Sequence, residues 1–392
     1  MPQRSPVLPP LVFCAPLRYV QGPGITHRLA DEMQAVGLVG PVLIVAGNAA
    51  ITRLAPTWAE AFAEAGWLHR VRLFGGESSR REIKSLGREA ESLDAAVIVG
   101  AGGGKTLDAA RAAAAALRLP FVSCPTVCST DAPTSALSVI YFDEGPNTGA
   151  VAGYEIHRRS PDLVLVDTQV IADGPPRFLA AGIGDAMSTF YEARAAVAAG
   201  KPNMRGGRST RAALGVAQLC RDVVFEHGVA ALEACRRHVP DDPFEQVVEA
   251  ATLLSGLGFE SAGLAAAHAI HNGLTAVPAI HDALHGEKVA FGTLVQLVLE
   301  QRAATDAAAR AALESEAERV ASFFVHTGLP VTLGQLGLPP EATGAATPVI
   351  ADRATMAGET IHNMPFPVDA AAVAAAIAVA DDLGRRTLAS GG

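Results

Sequence analysis

Short runs that are apolar on both faces of a strand constrain the first half of this chain. VLIVA (Val42–Ala46), AVIV (Ala96–Val99), FVS (Phe121–Ser123) and LVLV (Leu163–Val166) show no polar alternation. A strand with no wet face must be covered on both sides, which predicts a parallel sheet flanked by helices. Helical patterns at Ala55–Ala65, Ser79–Ser92 and Gly104–Leu117 separate the runs, and Val71–Phe74 adds a further strand. Leu137–Tyr141 and Gly149–Tyr154 flank the turn cluster DEGPN and predict a hairpin. Past Asp173, at Pro175 and Pro176, strand signals stop. Residues 185–199, 209–227, 243–274, 286–304, 307–325 and 369–385 repeat Ala and Leu at helical spacing. The expected architecture is an α/β domain over 1–172 with a Rossmann-like parallel sheet, then an all-α domain over 173–392. A ligand cleft is expected between them, and 392 residues suit roughly two domains.

Composition narrows the partners. The net charge of -9 and the lack of a basic run argue against nucleic acid. Ala-rich stretches are interrupted by Arg and Asp, so no membrane span is expected, and the Pro-rich start MPQRSPVLPPLVF reads as neither signal nor anchor. Five cysteines (14, 124, 128, 220, 235) suggest no disulfide framework, and Cys124 and Cys128 lack a second pair at zinc-finger spacing. Buried thiols and a reducing, cytoplasmic setting are expected.

The stretch VIVGAGGGKTLDAAR (97–111) enters four glycines from a strand and leaves them into a helix. It misses the triphosphate loop G-x-x-x-x-G-K-[ST] because Val99 stands at the first glycine. It misses the dinucleotide fingerprint G-x-G-x-x-G because Lys105 stands at the third. Glycines let a phosphate approach the backbone, and a helix start offers free N–H groups. A tight βα turn without ligand would use the same residues. The next loop, PTVCSTDAPTSALSVIY (125–141), gathers Thr126, Ser129, Thr130, Asp131, Thr134 and Ser135 at the carboxyl end of a strand, where open parallel sheets bind ligands.

Four histidines fall between 268 and 285, in LAAAHAIHNGLTAVPAIHDALHGEKVA. His268 and His271, three apart on a helix, share a face, and His285 opens the next helix. Such residues can converge on a metal, or serve singly as hydrogen-bonded core side chains. Asp185, in AAGIGDAMSTF, is a candidate third ligand or a helix cap near a helix start.

These stretches together carry a resemblance. RYVQGPG (18–24), FGGESSRREI (74–83), GAGGGKTLDAAR (100–111), CPTVCSTDAPTSALSVIY (124–141) and PDLVLVDT (161–168) resemble blocks of the glycerol dehydrogenases, in the iron-containing alcohol dehydrogenase family. So do RFLAAGIGDA (177–186), LLSGLGFESAGLAAAHAIHNGL (253–274), HGEKVA (285–290) and ETIHNMPFPV (359–368), in the same order along the chain. The resemblance implies oxidation of glycerol or a similar vicinal diol by NAD at a zinc ion, in a homo-oligomer, commonly an octamer. It implies that Gly102, Gly103, Gly104 and Lys105 contact the cofactor diphosphate, and Thr106 and Asp108, just after them, are further candidate cofactor-binding residues. Thr126, Ser129, Ser135, Leu137 and Tyr141 match positions lining the NAD site. Asp131 matches the carboxylate between nicotinamide and substrate, and His271, one helical turn past His268, is a candidate proton relay or a support for a metal ligand. Asp185, His268 and His285 match the three zinc ligands. Iron-binding relatives carry a fourth ligand, a His, where this chain has Thr189, which favours zinc. One departure concerns the cofactor: Gly47 and Asn48 follow VLIVA where relatives often carry an Asp for the adenosine ribose. NAD with NADP tolerated is expected, with Arg53 available to a 2′-phosphate. Rival readings are a 2-hydroxycarboxylate or other polyol dehydrogenase of the same branch, a dehydroquinate synthase-like lyase, and a P-loop phosphotransferase.

Overall fold

The computed structural model describes residues 8–145, 149 and 151–391. Strands β1 (Tyr19–Gly22), β2 (Val42–Ala46), β3 (His69–Leu73), β4 (Val97–Gly102), β5 (Phe121–Pro125) and β8 (Leu163–Asp167) form one sheet in the order β1-β8-β5-β4-β2-β3. Every pairing in it is parallel. Alternation along β2 explains the unbroken apolar run. Val42, Ile44 and Ala46 pack with Leu54, Trp58 and Phe62 of one covering helix. Leu43 and Val45 pack on the other face, with Leu86 and the alanines of Gly104–Leu117. From β2 the chain passes outward to β3 and then returns to pair β4 on the far side of β2. The strand order therefore reverses between β2 and β4, and ligands of open α/β sheets bind at the carboxyl ends beside such a reversal. Gly47 and the glycine loop lie at those two ends.

β6 (Leu137–Tyr141) and β7 (Val151–Ile156) form the expected antiparallel hairpin. Pro146 and Asn147 of its turn cluster lie outside the described residues. Strand β4 runs on to Gly102, so Gly100 and Gly102 are strand residues rather than loop. The edge strand β1, half-buried along its length, was not expected, because YVQG shows neither a full apolar run nor alternation.

Beyond Asp173 the described structure is helical. The helix Pro176–Ala198 starts on a proline, which suits a first helical position because its missing N–H would have no partner there. It packs between Arg211–Arg236 and His285–Ala303. The predicted helix over 243–274 is broken. Asp242–Ala262, with a π-helical turn at Ala250–Leu254, ends at Gly263, whose φ of 109° lies in the region that glycine favours. A separate helix, Ala266–Thr275, turns away by 103°. Thr343–Ala354 is a further helix with no counterpart in the predicted set. Among the described residues no single helix is long and apolar enough to cross a membrane.

Glycines bring three of these helices into backbone contact. A Cβ at Gly184 would stand 2.5 Å from Gly286 O, one at Gly286 would stand 1.8 Å from Ala181 O, and one at Gly292 would stand 2.4 Å from Ala267 O. Pro176–Ala198, Ala266–Thr275 and His285–Ala303 are thereby held at a spacing that no alanine would allow. Gly286→Ala is expected to lower stability by about 1–3 kcal/mol through overpacking. Gly215→Ala, on an exposed helix face with open space around it, is expected to raise stability by about 0.4–1 kcal/mol. Denaturant midpoints of the two variants against the parent chain check both signs.

Candidate active site

The closely packed helices place three side chains from distant parts of the sequence around one point. Asp185 lies in the middle of Pro176–Ala198, so the expectation of a helix start there is corrected and capping is no longer available as its role. His268 comes from Ala266–Thr275, and His285 is the first residue of the next helix. His285 Nε2 stands 3.2 Å from Asp185 Oδ1 and His268 Nε2 stands 3.5 Å from it. The three ligand-type atoms all lie within 4.8 Å of one another. Asp185 is 1% exposed, and its Oδ1 is buried without a hydrogen-bond partner. A buried, unpaired carboxylate oxygen is costly unless a cation meets it. Tetrahedral bonds of about 2.0–2.1 Å put ligand atoms about 3.3 Å apart, and one oxygen with two imidazole nitrogens is a donor set suited to zinc. The residues present therefore fit a divalent ion.

The surrounding shell orients these ligands. The other Asp185 oxygen, Oδ2, accepts the Asp131 backbone N–H at 3.1 Å. Glu192, fully buried, lies 2.5 Å from His268 Nδ1 and accepts the backbone N–H groups of Ala265 and His268. A carboxylate on Nδ1 fixes the tautomer and leaves the Nε2 lone pair for a metal. His271 packs against His285 with ring centroids 4.2 Å apart, and its Nδ1 meets Asn272 Oδ1 at 3.1 Å. Asn272 Nδ2 donates to Glu359 and Tyr154 OH donates to Asn272 Oδ1, so the amide orientation is fixed. Burial is the largest influence on these ionisations. It raises the Asp131 carboxyl well above the carboxylate range, with Asp185 adding to the effect. It lowers His271 well below its ordinary value, helped by His285, His268 and Lys288. For Asp185 and His268 burial is outweighed: the imidazoles hold Asp185 low, and Glu192 and Asp185 hold His268 high.

The glycine loop lies at the other end of the same segment. Gly103 caps Gly104–Leu117 without a side-chain hydrogen bond, leaving the first helix N–H groups open. A Cβ at Gly102 would stand 2.7 Å from Thr106, so glycine is required there. Thr126 N donates to Gly102 O at 3.1 Å, tying the serine-threonine loop to the glycines. Lys105 pairs with Glu77 at 2.7 Å and stands over the Tyr141 ring at 4.6 Å. Ser129 and Leu137 are half-buried, while Ser135 is buried with its Oγ accepting Leu137 N–H. Asp108 has a different task from the expected one. It is buried, pairs with Arg111 and accepts Val139 N–H, joining the helix to the hairpin. Thr106 is likewise turned into the fold. Arg53 does not stand free either: it pairs with Asp173 and donates to the carbonyls of Val170 and Gln169. Cys124 and Cys128 are buried thiols pushed up to about 12, chiefly by burial, and neither joins the metal cluster.

Two site residues escaped the sequence reading. Glu192 lies two helical turns after Asp185 on one face, a spacing that could have flagged it. Ser255, which donates to Asp131 Oδ2 at 2.9 Å, comes directly after a π-helical turn that no regular spacing reveals.

Comparison with known proteins gives the family of the chain. Residues 16–168 match the family described as iron-containing alcohol dehydrogenase. The chain is 45% identical to a glycerol dehydrogenase of Escherichia coli O6:H1 (strain CFT073), over 96% of this chain and 98% of that one. It is 42% identical to a glycolaldehyde reductase of Halobacterium salinarum, over 96% and 98%. The crystal structure of glycerol dehydrogenase from Schizosaccharomyces pombe superposes with a TM-score of 0.89 at 35% identity, covering 98% of this chain and 93% of that one. With its parallel sheet, glycine loop and helical half in the same arrangement, the chain is an oxidoreductase that belongs to the iron-containing alcohol dehydrogenase family.

Proposed function

We propose that this chain oxidises the secondary hydroxyl of glycerol, or of a similar vicinal diol, with zinc as its metal and NAD as hydride acceptor. The product is dihydroxyacetone or the matching hydroxyketone. The observation that carries this reading is the unpaired, buried Asp185 Oδ1 between His268 and His285, next to Asp131 and on the same loop system as the glycines. The names of the glycerol dehydrogenase relatives support the substrate class.

Asp185, His268 and His285 would hold the ion. One carboxylate and two neutral imidazoles leave a divalent site with net positive charge. A bound zinc ion lowers the pKa of a hydroxyl it touches by several units. Glu192 keeps His268 in the ligating tautomer and neutralises part of the buried charge. Gly102, Gly103 and Gly104 would admit the cofactor diphosphate to the open helix start. Asp131 would accept a substrate hydroxyl proton or hold that hydroxyl in line. His271, with its Nδ1 proton directed at Asn272, presents an Nε2 lone pair as a proton acceptor.

Removal of metal by a chelator is expected to abolish glycerol-dependent NAD reduction, and zinc is expected to restore it. Activity that persists in protein shown to be metal-free would sink the reading. Asp185→Asn is expected to lose bound zinc and activity together. Glu192→Gln is expected to weaken zinc by about 10- to 100-fold, read by competition with a chelating dye.

The cofactor preference derives from the end of β2. No carboxylate comes after that strand to repel a 2′-phosphate, and Arg53 is committed to Asp173 rather than free to bind one. NAD is expected to exceed NADP in kcat/KM with measurable NADP turnover, and Asn48→Asp is expected to widen the gap. A preference for NADP in the parent chain would overturn this.

A further inference from the structure

Asp131 is held from behind by two hydroxyls. Ser255 Oγ donates to Asp131 Oδ2 at 2.9 Å, and Thr189 Oγ1 stands 2.7 Å from Ser255 Oγ. Ser255 is fully buried and Thr189 is 1% exposed. Ser255 has one hydroxyl proton and gives it to Asp131 Oδ2, so Thr189 is the donor to Ser255. The chain of hydrogen bonds then runs in one direction, from Thr189 through Ser255 to Asp131, and each bond polarises the next. Oδ1 of Asp131 takes no part in it.

The backbone accounts for why Ser255 is there. The π-helical turn at Ala250–Leu254 inserts an extra residue into the helix Asp242–Ala262 and rotates the residues downstream of it by about 100°. Thr134 Oγ1 donates to Thr252 O of that turn at 3.0 Å. Gly256 then packs directly on the Asp131 loop: a Cβ there would stand 1.8 Å from Thr134 Oγ1 and 3.0 Å from Asp131 O. The turn and the glycine bring the end of this helix against the loop, with Ser255 on the carboxylate.

We propose that Ser255, supported by Thr189, is a positioning residue that pins Asp131 Oδ2 so that Oδ1 alone is presented to the substrate. The inference rests on the role proposed for Asp131 in proton transfer. It also assigns a task to Thr189, which lies one helical turn beyond Asp185.

The test uses the zinc- and NAD-loaded enzyme with glycerol. Ser255→Ala is expected to lower kcat by about 10- to 100-fold, the worth of one hydrogen bond to a charged group. Zinc content and the NAD dissociation constant are expected to stay within about twofold of the parent, below the effect of a lost hydrogen bond. The deuterium isotope effect on kcat, with glycerol labelled at its central carbon, is expected to rise as hydride transfer becomes limiting. Thr189→Val, which keeps the volume, is expected to lower kcat by about 3- to 10-fold. The double variant is expected to match Ser255→Ala alone, because Thr189 acts through Ser255. Parent-like kcat in Ser255→Ala, a fall that tracks zinc loss, or additive effects of the two substitutions would each overturn the proposal. If Ser255→Ala does not fold, Thr189→Val decides, and an unchanged kcat there overturns it. Asp131→Asn separates the two levels. An inactive Asp131→Asn beside a normal Ser255→Ala removes only this inference, whereas an active Asp131→Asn removes the role of Asp131 itself.

Discussion

The structure is organised around a buried carboxylate oxygen that, among the described residues, meets only two imidazole nitrogens. Asp185 Oδ1 sits in the middle of a buried helix, faces two imidazole nitrogens and takes no hydrogen bond. Leaving such a group in an apolar core opposes folding unless a cation is supplied. What holds it there is backbone contact. Gly184, Gly286 and Gly292 let three helices approach more closely than any Cβ would permit, and each of those helices carries one member of the cluster. The adjoining shell has the same character: Glu192 takes three donors, so His268 has one tautomer and one orientation.

The loop between β5 and the hairpin joins the two halves of the chain. At its start Thr126 bonds Gly102 beneath the glycine turn. In its middle Asp131 gives its N–H to Asp185 and takes the hydroxyl of Ser255. Near its end Ala136 donates to Glu260, a buried carboxylate that also pairs with Arg205. A single segment therefore touches the glycine turn, the acid cluster and the helical half. That continuity sets the distance between the two halves of the site, and a small displacement of reacting groups is costly in rate.

The elements legible in the sequence are those with a strong local signal. Val42–Ala46 and Gly104–Leu117 have the expected ends, because a full apolar run and a glycine-to-alanine helix start are local properties. The misses have non-local causes. β1 is a half-buried edge strand whose place depends on pairing with β8. The 243–274 region carries an unbroken apolar helical pattern, yet it turns by 103° after Gly263, and the second helix brings His268 to face Asp185. Asp108 belongs to a motif associated with phosphate, but its partners, Arg111 and Val139, lie on its own helix and on the hairpin. Arg53 is a candidate for a 2′-phosphate by sequence, but Asp173, 120 residues away, claims it in the fold.

By itself the sequence determined the parallel sheet, the glycine turn at its carboxyl edge, the helical second half and the residue types able to hold a metal. These come from period, apolar patterning and side-chain chemistry, which act over a few residues. Only the tertiary structure decided that Asp185, His268 and His285 share one point, that Oδ1 lacks a partner, and that Glu192 and Ser255 stand behind the ligand and the carboxylate. Those facts depend on helix spacing and on a π-helical turn, and both are set by contacts between segments far apart in the chain.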